Sequence, residues 1–249
     1  MKIRELIERI EMDFPHNSSM SFDNSGANVV DYEAEINNIL VCLDVTKDSI
    51  LYANNNDANL IISHHPMIFN QIRNLNDDLT SNRIKLLNKY DISAYSCHTN
   101  FDVNIENGMG INVLNKIFDN DEILSHKLLD TYLIDNKTYG LGDIITIRKT
   151  YSFNEILKII IDRLELNESK ISYYKCSDEI KKIIIIPGSG SSDVELVIKE
   201  KPDLFISSDL KHNNILDLCE ANISYINATH YGLEKVFIES FSKYLNTNL

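Results

Sequence analysis

The sequence has no long apolar run and no tryptophan, and the residues after Met1 do not form an apolar stretch. Its apolar stretches, such as that from Ile183 to Pro187, are far shorter than the roughly 18 residues that a membrane-spanning helix needs. The acidic residue Glu5 lies within the first five residues, and the segment after it does not have the apolar core of a signal peptide. We therefore expect a cytoplasmic protein with no membrane partner, and we attribute the lack of tryptophan to compositional drift.

Positive charge is in deficit, because 24 Lys and Arg stand against 37 Asp and Glu, which gives a formal net charge of −13. An acidic chain without a basic stripe argues against nucleic-acid binding as the main function. An anionic ligand is still compatible with this charge, since metal ions or helix N-termini can supply positive charge locally.

Cysteine is sparse as well. The four cysteines, Cys42, Cys97, Cys176 and Cys219, are far apart and form no CxxC pair. We expect no disulfide framework, and three of the four lie in or beside apolar runs, as reduced core cysteines do. With 249 residues, of which 43% are hydrophobic and 24% charged, the chain is long enough for a substantial core.

Short apolar runs alternate with amphipathic helical stretches, a pattern typical of α/β proteins. Three strand–helix units in succession predict a largely parallel sheet in the first half. The predicted strands cover 39–43, 59–63, 92–96, 128–134, 142–148, 171–175, 183–186, 204–207 and 223–227. The predicted helices cover 2–12, 44–55, 80–90, 107–118, 153–164, 191–200, 211–221 and 231–245.

The same alternation returns after residue 178, which predicts two α/β lobes of similar βαβ plan, 1–125 and 126–249. The stretch 126–178 spaces its strand candidates differently, and we interpret it as a small α+β annex of the second lobe. No low-complexity linker separates the lobes, so we expect them to face each other across a cleft.

Two neighbouring histidines, His64 and His65, follow a predicted buried strand and precede Pro66. Ligands collect at the carboxyl ends of strands in open α/β sheets, and Pro66 favours extended or turn geometry at His65. Because successive side chains on a strand point to opposite sides, the pair suits two adjacent metal ions better than one. The alternative is an exposed histidine pair without a ligand.

Two more clusters follow predicted strands. In the first, His98 could ligate a metal, orient a ligand or move protons, and Asp102 could ligate or bridge metals. Alternatively, Asp102 is a solvated loop carboxylate or a helix cap. In the other cluster, the i, i+4 spacing of His230 and Glu234 places both on one face of a helix, as metal ligands or as a surface ion pair.

Together the clusters supply three histidines and two carboxylates as candidate ligands: His64, His65, Asp102, His230 and Glu234. A mixed set of this kind suits zinc, manganese or iron better than calcium or magnesium, which prefer oxygen. A dinuclear site activates water near neutral pH and polarises a substrate oxygen. The sequence therefore predicts two divalent ions per chain.

Six short motifs, in this order, resemble those of the NGG-one interacting factor three-like family, which includes type 2 GTP cyclohydrolase I homologs. The resemblance covers essentially the whole chain, in the short form without a central insert domain. The motifs are Phe22-Asp23-Asn24-Ser25-Gly26, Ser63-His64-His65-Pro66, His98-Thr99-Asn100-Phe101-Asp102, Gly188-Ser189-Gly190, Ser208-Asp209-Leu210-Lys211-His212 and the segment from His230 to Glu234.

The resemblance implies two facing α/β lobes, two metal ions held by the five candidate ligands, and a toroidal homohexamer. In that scheme His98 is the best candidate for proton transfer. The chain departs from the family pattern at Phe22, at Ser25 and at 207–208, and these departures concern substrate recognition rather than metal binding.

Six further residues are candidates for contact with substrate or for support of the metal site: Gly188, Ser189, Gly190, Asp209, Lys211 and His212. The amides of the first three could cradle a phosphate, with a tight turn and helix cap as the alternative. The resemblance puts the last three near the cleft, although they could equally cap the helix 211–221.

The resemblance implies a metal-dependent hydrolase in which metal-activated water opens the purine ring of a small-molecule substrate, GTP, and formate leaves. Two other functions remain open: a metal-binding regulatory or chaperone-like assembly without turnover, and a two-metal phosphoesterase. The sequence does not choose among them, because the substrate walls depend on the lobes and on neighbouring subunits. His16 and His126 lie outside every cluster, and we interpret them as surface or loop residues.

Overall fold

In the computed structural model, which describes residues 1–248, the chain forms two compact units. One comprises residues 1–101 together with the C-terminal segment from Phe237, and the other comprises Asp102–Val236. The change of unit at 101/102 differs from the expected lobe boundary at 125/126, and the C-terminal segment belongs to the first unit. The lobes 1–125 and 126–249 stay a prediction.

The helices and strands are numbered along the chain within the described residues. The helices are α1 (Ile3–Asp13), α2 (Lys47–Asn55), α3 (Leu79–Lys89), α4 (Thr99–Asp102), α5 (Met109–Ile117), α6 (Phe153–Arg163), α7 (Val194–Glu200), α8 (His212–Glu220), α9 (His230–Glu234) and α10 (Val236–Asn248). The strands are β1 (Gly26–Val29), β2 (Asn38–Cys42), β3 (Ala58–Ser63), β4 (Ser93–Ser96), β5 (Ile123–Ile134), β6 (Lys137–Tyr151), β7 (Ser172–Tyr174), β8 (Ile180–Ser189), β9 (Leu204–Ser208) and β10 (Ser224–Ala228).

The first unit is built around a four-stranded sheet with the strand order β1-β4-β3-β2. As the strand–helix alternation predicts, β2, β3 and β4 are parallel, whereas β1 runs antiparallel to β4. Helices α2 and α3 connect the parallel strands, and the side chains of Thr46 and Asp78 cap their first turns. The buried apolar side chains of this unit include Val45, Ile50, Ile61, Ile84, Leu87 and Ile92.

The second unit is built around a six-stranded sheet with the order β5-β6-β8-β9-β10-β7. Strands β8, β9 and β10 are parallel and are joined by α7 and α8, whereas β5, β6 and β7 run antiparallel to their neighbours. The strands within the stretch 126–178 hydrogen-bond into this same sheet, and the interpretation of that stretch as a small α+β annex stays a prediction.

Each sheet is mixed and contains three consecutive parallel strands linked by helices, which confirms the predicted α/β class. The β-α-β-α-β order recurs in both units, as the similar βαβ plan predicts. Within residues 1–248, none of the helices has the length and apolar character that crossing a membrane requires.

An aromatic cluster attaches α10 to the first unit. The ring of Phe101 lies 5.1 Å from that of Phe237 and 5.9 Å from that of Phe241, and Phe14 lies 5.2 Å from Phe101. These buried contacts explain why the C-terminal helix belongs to the first unit, although residues 102–236 of the second unit precede it in the sequence. The single helix predicted over 231–245 is divided into α9 and α10 at Lys235.

Candidate metal centre

Polar side chains follow the carboxyl ends of the three parallel strands of the first unit. Asp44 follows β2, His64 and His65 follow β3, and His98 follows β4. The backbone N–H of His64 still donates to Cys42 O at 3.1 Å, so the segment after β3 remains attached to its neighbouring strand. The topology therefore brings these side chains to one edge of the sheet, as predicted for an open α/β fold.

The rings of His64, His65 and His98 lie together, and we call these three residues the histidine group. Ring centroids are 4.9 Å apart for His64 and His65, 5.0 Å for His64 and His98, and 5.5 Å for His65 and His98. One ligand atom from each ring lies within 4.8 Å of the others, so the group could hold a metal ion. His64 is fully buried, and the other two rings are partly exposed.

The alternation argument that assigned His64 and His65 to opposite sides is wrong. Both residues lie in a bend after β3 ends at Ser63, so the two-residue period of a strand does not apply to them. The bend turns both rings toward the same place, where one ion can contact both.

Each ring of the histidine group has its Nδ1 beside an oxygen that can only accept a hydrogen bond. His64 Nδ1 donates to Cys97 O at 3.0 Å, and His65 Nδ1 donates to Asp44 Oδ1 at 3.0 Å. His98 Nδ1 donates to a carboxylate, that of Asp23, at 2.7 Å. In a neutral ring this arrangement leaves the lone pair on Nε2, which is the usual state of a histidine that ligates a metal.

Asp23 is a site residue that the sequence reasoning missed, although the motif that contains it was part of the family resemblance. Its carboxylate is buried and also accepts hydrogen bonds from Thr99 and Ser25. Burial alone would raise the pKa of Asp23, but the hydrogen bonds from His98, Ser25 and Thr99 outweigh it and hold that pKa well below its usual range. Asp44, behind His65, was also missed.

In the second unit, the predicted i, i+4 pair is formed at the start of α9. His230 Nε2 and Glu234 Oε2 are 2.9 Å apart, and Glu234 is buried. Asp209, which follows β9, accepts from His230 Nδ1 at 2.7 Å. The structure thus confirms that the pair shares a helix face and adds Asp209 to it. Thr229 caps the helix by accepting from the backbone N–H of Gly232.

Gly188 is required by the close approach of Glu234. A Cβ at this position would lie 2.6 Å from Glu234 Oε1, and Gly188 has a φ of +72°, which favours glycine. Two residues further on, the amide of Gly190 donates to Ser207 Oγ at 3.0 Å. That amide already has an acceptor, which favours the tight-turn interpretation of the loop over a phosphate cradle.

The remaining candidates are placed as follows. Lys211 is the N-cap residue of α8 and His212 is its first residue, and both side chains are exposed, as is that of Ser189. Asp102 ends the short helix α4 and is partly buried. The assignment of these residues to metal or substrate stays a prediction.

The interpretation of His126 as a surface or loop residue is wrong. His126 lies within β5, its side chain is 18% exposed, and its Nε2 lies 2.6 Å from Asp143 Oδ1. Asp143 is buried, and burial raises its pKa against the opposing effect of His126. His16, by contrast, is exposed, as expected.

The whole of residues 1–249 matches the family model for Duf34/NIF3 (NGG1p interacting factor 3). A protein of Clostridium acetobutylicum named GTP cyclohydrolase 1 type 2 homolog is 32% identical to this chain, over 98% of the chain and 90% of that protein. A protein of Helicobacter pylori named GTP cyclohydrolase 1 type 2 is 30% identical, over 94% of this chain and 88% of that protein.

The fold is shared with solved structures as well. The crystal structure of a Staphylococcus aureus protein superimposes with a TM-score of 0.88 at 23% identity, and the match covers 99% of this chain and 92% of that one. The full-length family match, the two relatives and the six sequence motifs agree, and the chain belongs to the Duf34/NIF3 family.

Proposed function

We propose that this protein is a metal-dependent hydrolase whose chemistry takes place at the histidine group. The observation that carries the proposal is the convergence of ligand atoms from His64, His65 and His98 within 4.8 Å of one another. The acceptors on the three Nδ1 atoms support it, because in a neutral ring they place the lone pair on Nε2, the atom that would bind a cation.

The donor set fits a divalent transition metal, since imidazole nitrogen suits ions such as zinc and iron. Such an ion, when bound, lowers the pKa of water and polarises a substrate oxygen. The chain itself orients the three histidine rings and covers one side of them with aromatic side chains. The ring of His64 packs 5.1 Å from that of Phe237 and 6.4 Å from that of Phe101, which shields one side of the group from solvent.

Two metal ions per chain are part of the proposal, with zinc, manganese and iron as the candidates. The family resemblance names His64, His65, Asp102, His230 and Glu234 as the ligands of the pair. The 2.9 Å approach of His230 to Glu234 supports this set, because it places a nitrogen and a carboxylate on one helix face.

Two roles are open for His98, proton transfer and metal ligation. Its ring lies as close to His64 as the ring of His65 does, which favours ligation. The variant His98→Ala separates the roles. Loss of metal from a folded protein indicates a ligand, whereas full metal content with turnover slowed by about 10²–10⁴ indicates proton transfer.

Metal binding is tested by elemental analysis of the reconstituted protein. We expect close to two equivalents in the wild type and a clear loss in His65→Ala and Asp102→Ala. His16→Ala is the matched control, because this exposed histidine lies outside the histidine group and outside the pair formed by His230 and Glu234. A wild-type protein that takes up no metal would contradict the proposed function.

We propose a small-molecule substrate, with a purine nucleotide as the first candidate because the Helicobacter pylori relative is named GTP cyclohydrolase 1 type 2. The test incubates the zinc, manganese and iron forms with nucleotides and phosphoesters and measures formate and phosphate. Formate release supports ring opening, and phosphate release supports a two-metal phosphoesterase. Neither product with any metal would favour a regulatory or chaperone-like assembly without turnover.

The family resemblance also supports a homo-oligomer, and we propose a hexamer. Closed symmetric assemblies are the usual outcome when soluble chains associate. Light scattering should give a mass near six chains, and a monomer at every concentration tested would contradict this.

A further inference from the structure

Asp23 is a buried carboxylate that contacts a ring of the histidine group. Its side chain has no exposed surface, whereas Asp44, which contacts the neighbouring ring of His65, is 61% exposed. A charge acts more strongly on its partner when water is excluded, so Asp23 polarises His98 more than Asp44 polarises His65.

Asp23 is itself held from several sides. Its Oδ2 accepts from the Thr99 backbone N–H at 3.1 Å, from Thr99 Oγ1 at 2.5 Å, and from the hydroxyl of Ser25. These donors fix the carboxylate, so that Oδ1 lies 2.7 Å from His98 Nδ1. A fixed acceptor determines both the tautomer and the rotation of the ring it binds.

We propose that Asp23 is the positioning residue of the histidine group: it keeps the proton of His98 on Nδ1 and makes His98 Nε2 the strongest metal donor of the three rings. The inference rests on the proposed metal site, but it concerns a residue outside the predicted ligand set. The contacts with Thr99 and Ser25 suggest a second explanation, in which Asp23 only anchors the segment that precedes β1.

Metal titration separates these explanations. Apo wild type and variants are titrated with Zn²⁺ in competition with a chromophoric chelator, and with Co²⁺ while the visible spectrum is recorded. Asp23→Asn preserves size and removes the charge, so we expect the Kd to rise about 10–100-fold and the Co²⁺ bands to shift. Asp44→Asn is the matched control, and we expect a change of at most about 3-fold because its exposed charge is screened.

Ser25→Ala removes a hydrogen bond from the same carboxylate without touching His98. We expect its Kd to stay within about 3-fold of the wild type, since the charge behind the ring is kept. The proposal is overturned if Ser25→Ala weakens metal binding as much as Asp23→Asn does, or if Asp23→Asn binds like the wild type.

A measurement on the unmodified protein covers the case in which Asp23→Asn does not fold. Nitrogen-15 NMR of the histidine rings in the apo wild type, assigned with His98→Gln, should show that the neutral form of the His98 ring carries its proton on Nδ1. A proton on Nε2 would overturn the proposal. A wild type that shows the Nδ1–H tautomer but binds neither ion would instead overturn the proposed metal function, and the donor role of His98 with it.

Discussion

The contact between His126 and Asp143 allows a direct measurement of how much a buried ionisable pair stabilises the second unit. The two side chains approach to 2.6 Å on the neighbouring strands β5 and β6, and Asp143 is 3% exposed. The other carboxylate oxygen lies against Gly110, where an added Cβ would come within 1.6 Å of it. The pair therefore lies between the β5–β6 hairpin and the first turn of α5.

The change to make is His126→Ala, which leaves the Asp143 carboxyl buried without its partner. Breaking a fully buried ion pair costs about 3–5 kcal/mol. Because His126 is partly exposed and Asp143 can take up a proton, we expect His126→Ala to lower the free energy of unfolding by about 2–3 kcal/mol at pH 8. For a chain of this size that loss lowers the Tm by about 4–12 °C.

The pH dependence has a defined sign. Burial raises the pKa of Asp143 in the folded protein, so the folded state binds its proton more readily than the unfolded state does. Removing His126 removes the group that opposes this shift. The penalty of His126→Ala is therefore largest at pH 8, shrinks as the pH falls through the raised pKa of Asp143, and is smallest below the unfolded value of about 4, where Asp143 is neutral in both states.

The assay is thermal and urea unfolding of wild type and variants at pH 5 and pH 8. Lys127→Ala is the matched control, because the side chain of this neighbour on β5 is exposed and its ion pair with Glu200 should contribute at most about 1 kcal/mol. In an Asp143→Asn background, His126→Ala should cost less, with a coupling of about 1–2 kcal/mol. Equal penalties at both pH values, together with strict additivity, would refute the role of the pair.

Two more predictions follow from backbone and thiol environments. Gly188→Ala and Gly142→Ala both place a side chain at positive φ, and each should lower the free energy of unfolding by about 1–3 kcal/mol. Of the two, Gly188→Ala displaces Glu234, so only this variant should lower the metal content measured by elemental analysis. Burial raises the pKa of the Cys42 thiol to about 12. At pH 8 iodoacetamide should therefore modify the exposed Cys176 first, and the modification of Cys42 should accelerate as the pH rises toward 12. Peptide mass spectrometry that finds Cys42 labelled as fast as Cys176 would contradict the second prediction.

Element types were predictable wherever hydrophobic periodicity extends over a long segment. The predicted strand 59–63 and helix 80–90 each lie within one residue of β3 and α3. Strand β1 was not predicted, because its four residues are too few to show a period, and it is held by antiparallel pairing with β4 across about 70 residues of sequence. Strands β6 and β7 likewise pair with β8 and β10, which are distant in the sequence, and a local pattern does not reveal such pairings.

The histidine group was predictable from topology, because His64, His65 and His98 each follow one of two adjacent parallel strands. Their hydrogen-bond partners were harder to predict. Asp23 lies 75 residues before His98 in the sequence, in a segment with no periodic signal, and only the family motif around it singled it out. His126 gave no signal at all, since its partner is set by the pairing of β5 with β6.

One relation between strands and side chains occurs in both units. Asp44 follows β2 and contacts the histidine after β3, and Asp209 follows β9 and contacts the histidine after β10. In both cases the two strands are parallel neighbours, so their carboxyl ends lie side by side and the residues just beyond them meet. Because both carboxylates lie on loops at the edge of a sheet, they are exposed, at 61% and 57%.

A carboxylate at a sheet edge can therefore orient a histidine but remains screened by water. The partner of His98 differs because it comes from a separate segment that crosses the end of β4 and buries its carboxylate there. The parallel strands thus bring an exposed carboxylate to a histidine in each unit. The segment before β1 brings the buried carboxylate of Asp23 to His98, which is therefore the more strongly polarised ring. On this reasoning the donor strength of His98 is set by Asp23 rather than by the parallel strands, so that Asp23→Asn should change metal affinity more than Asp44→Asn or Asp209→Asn.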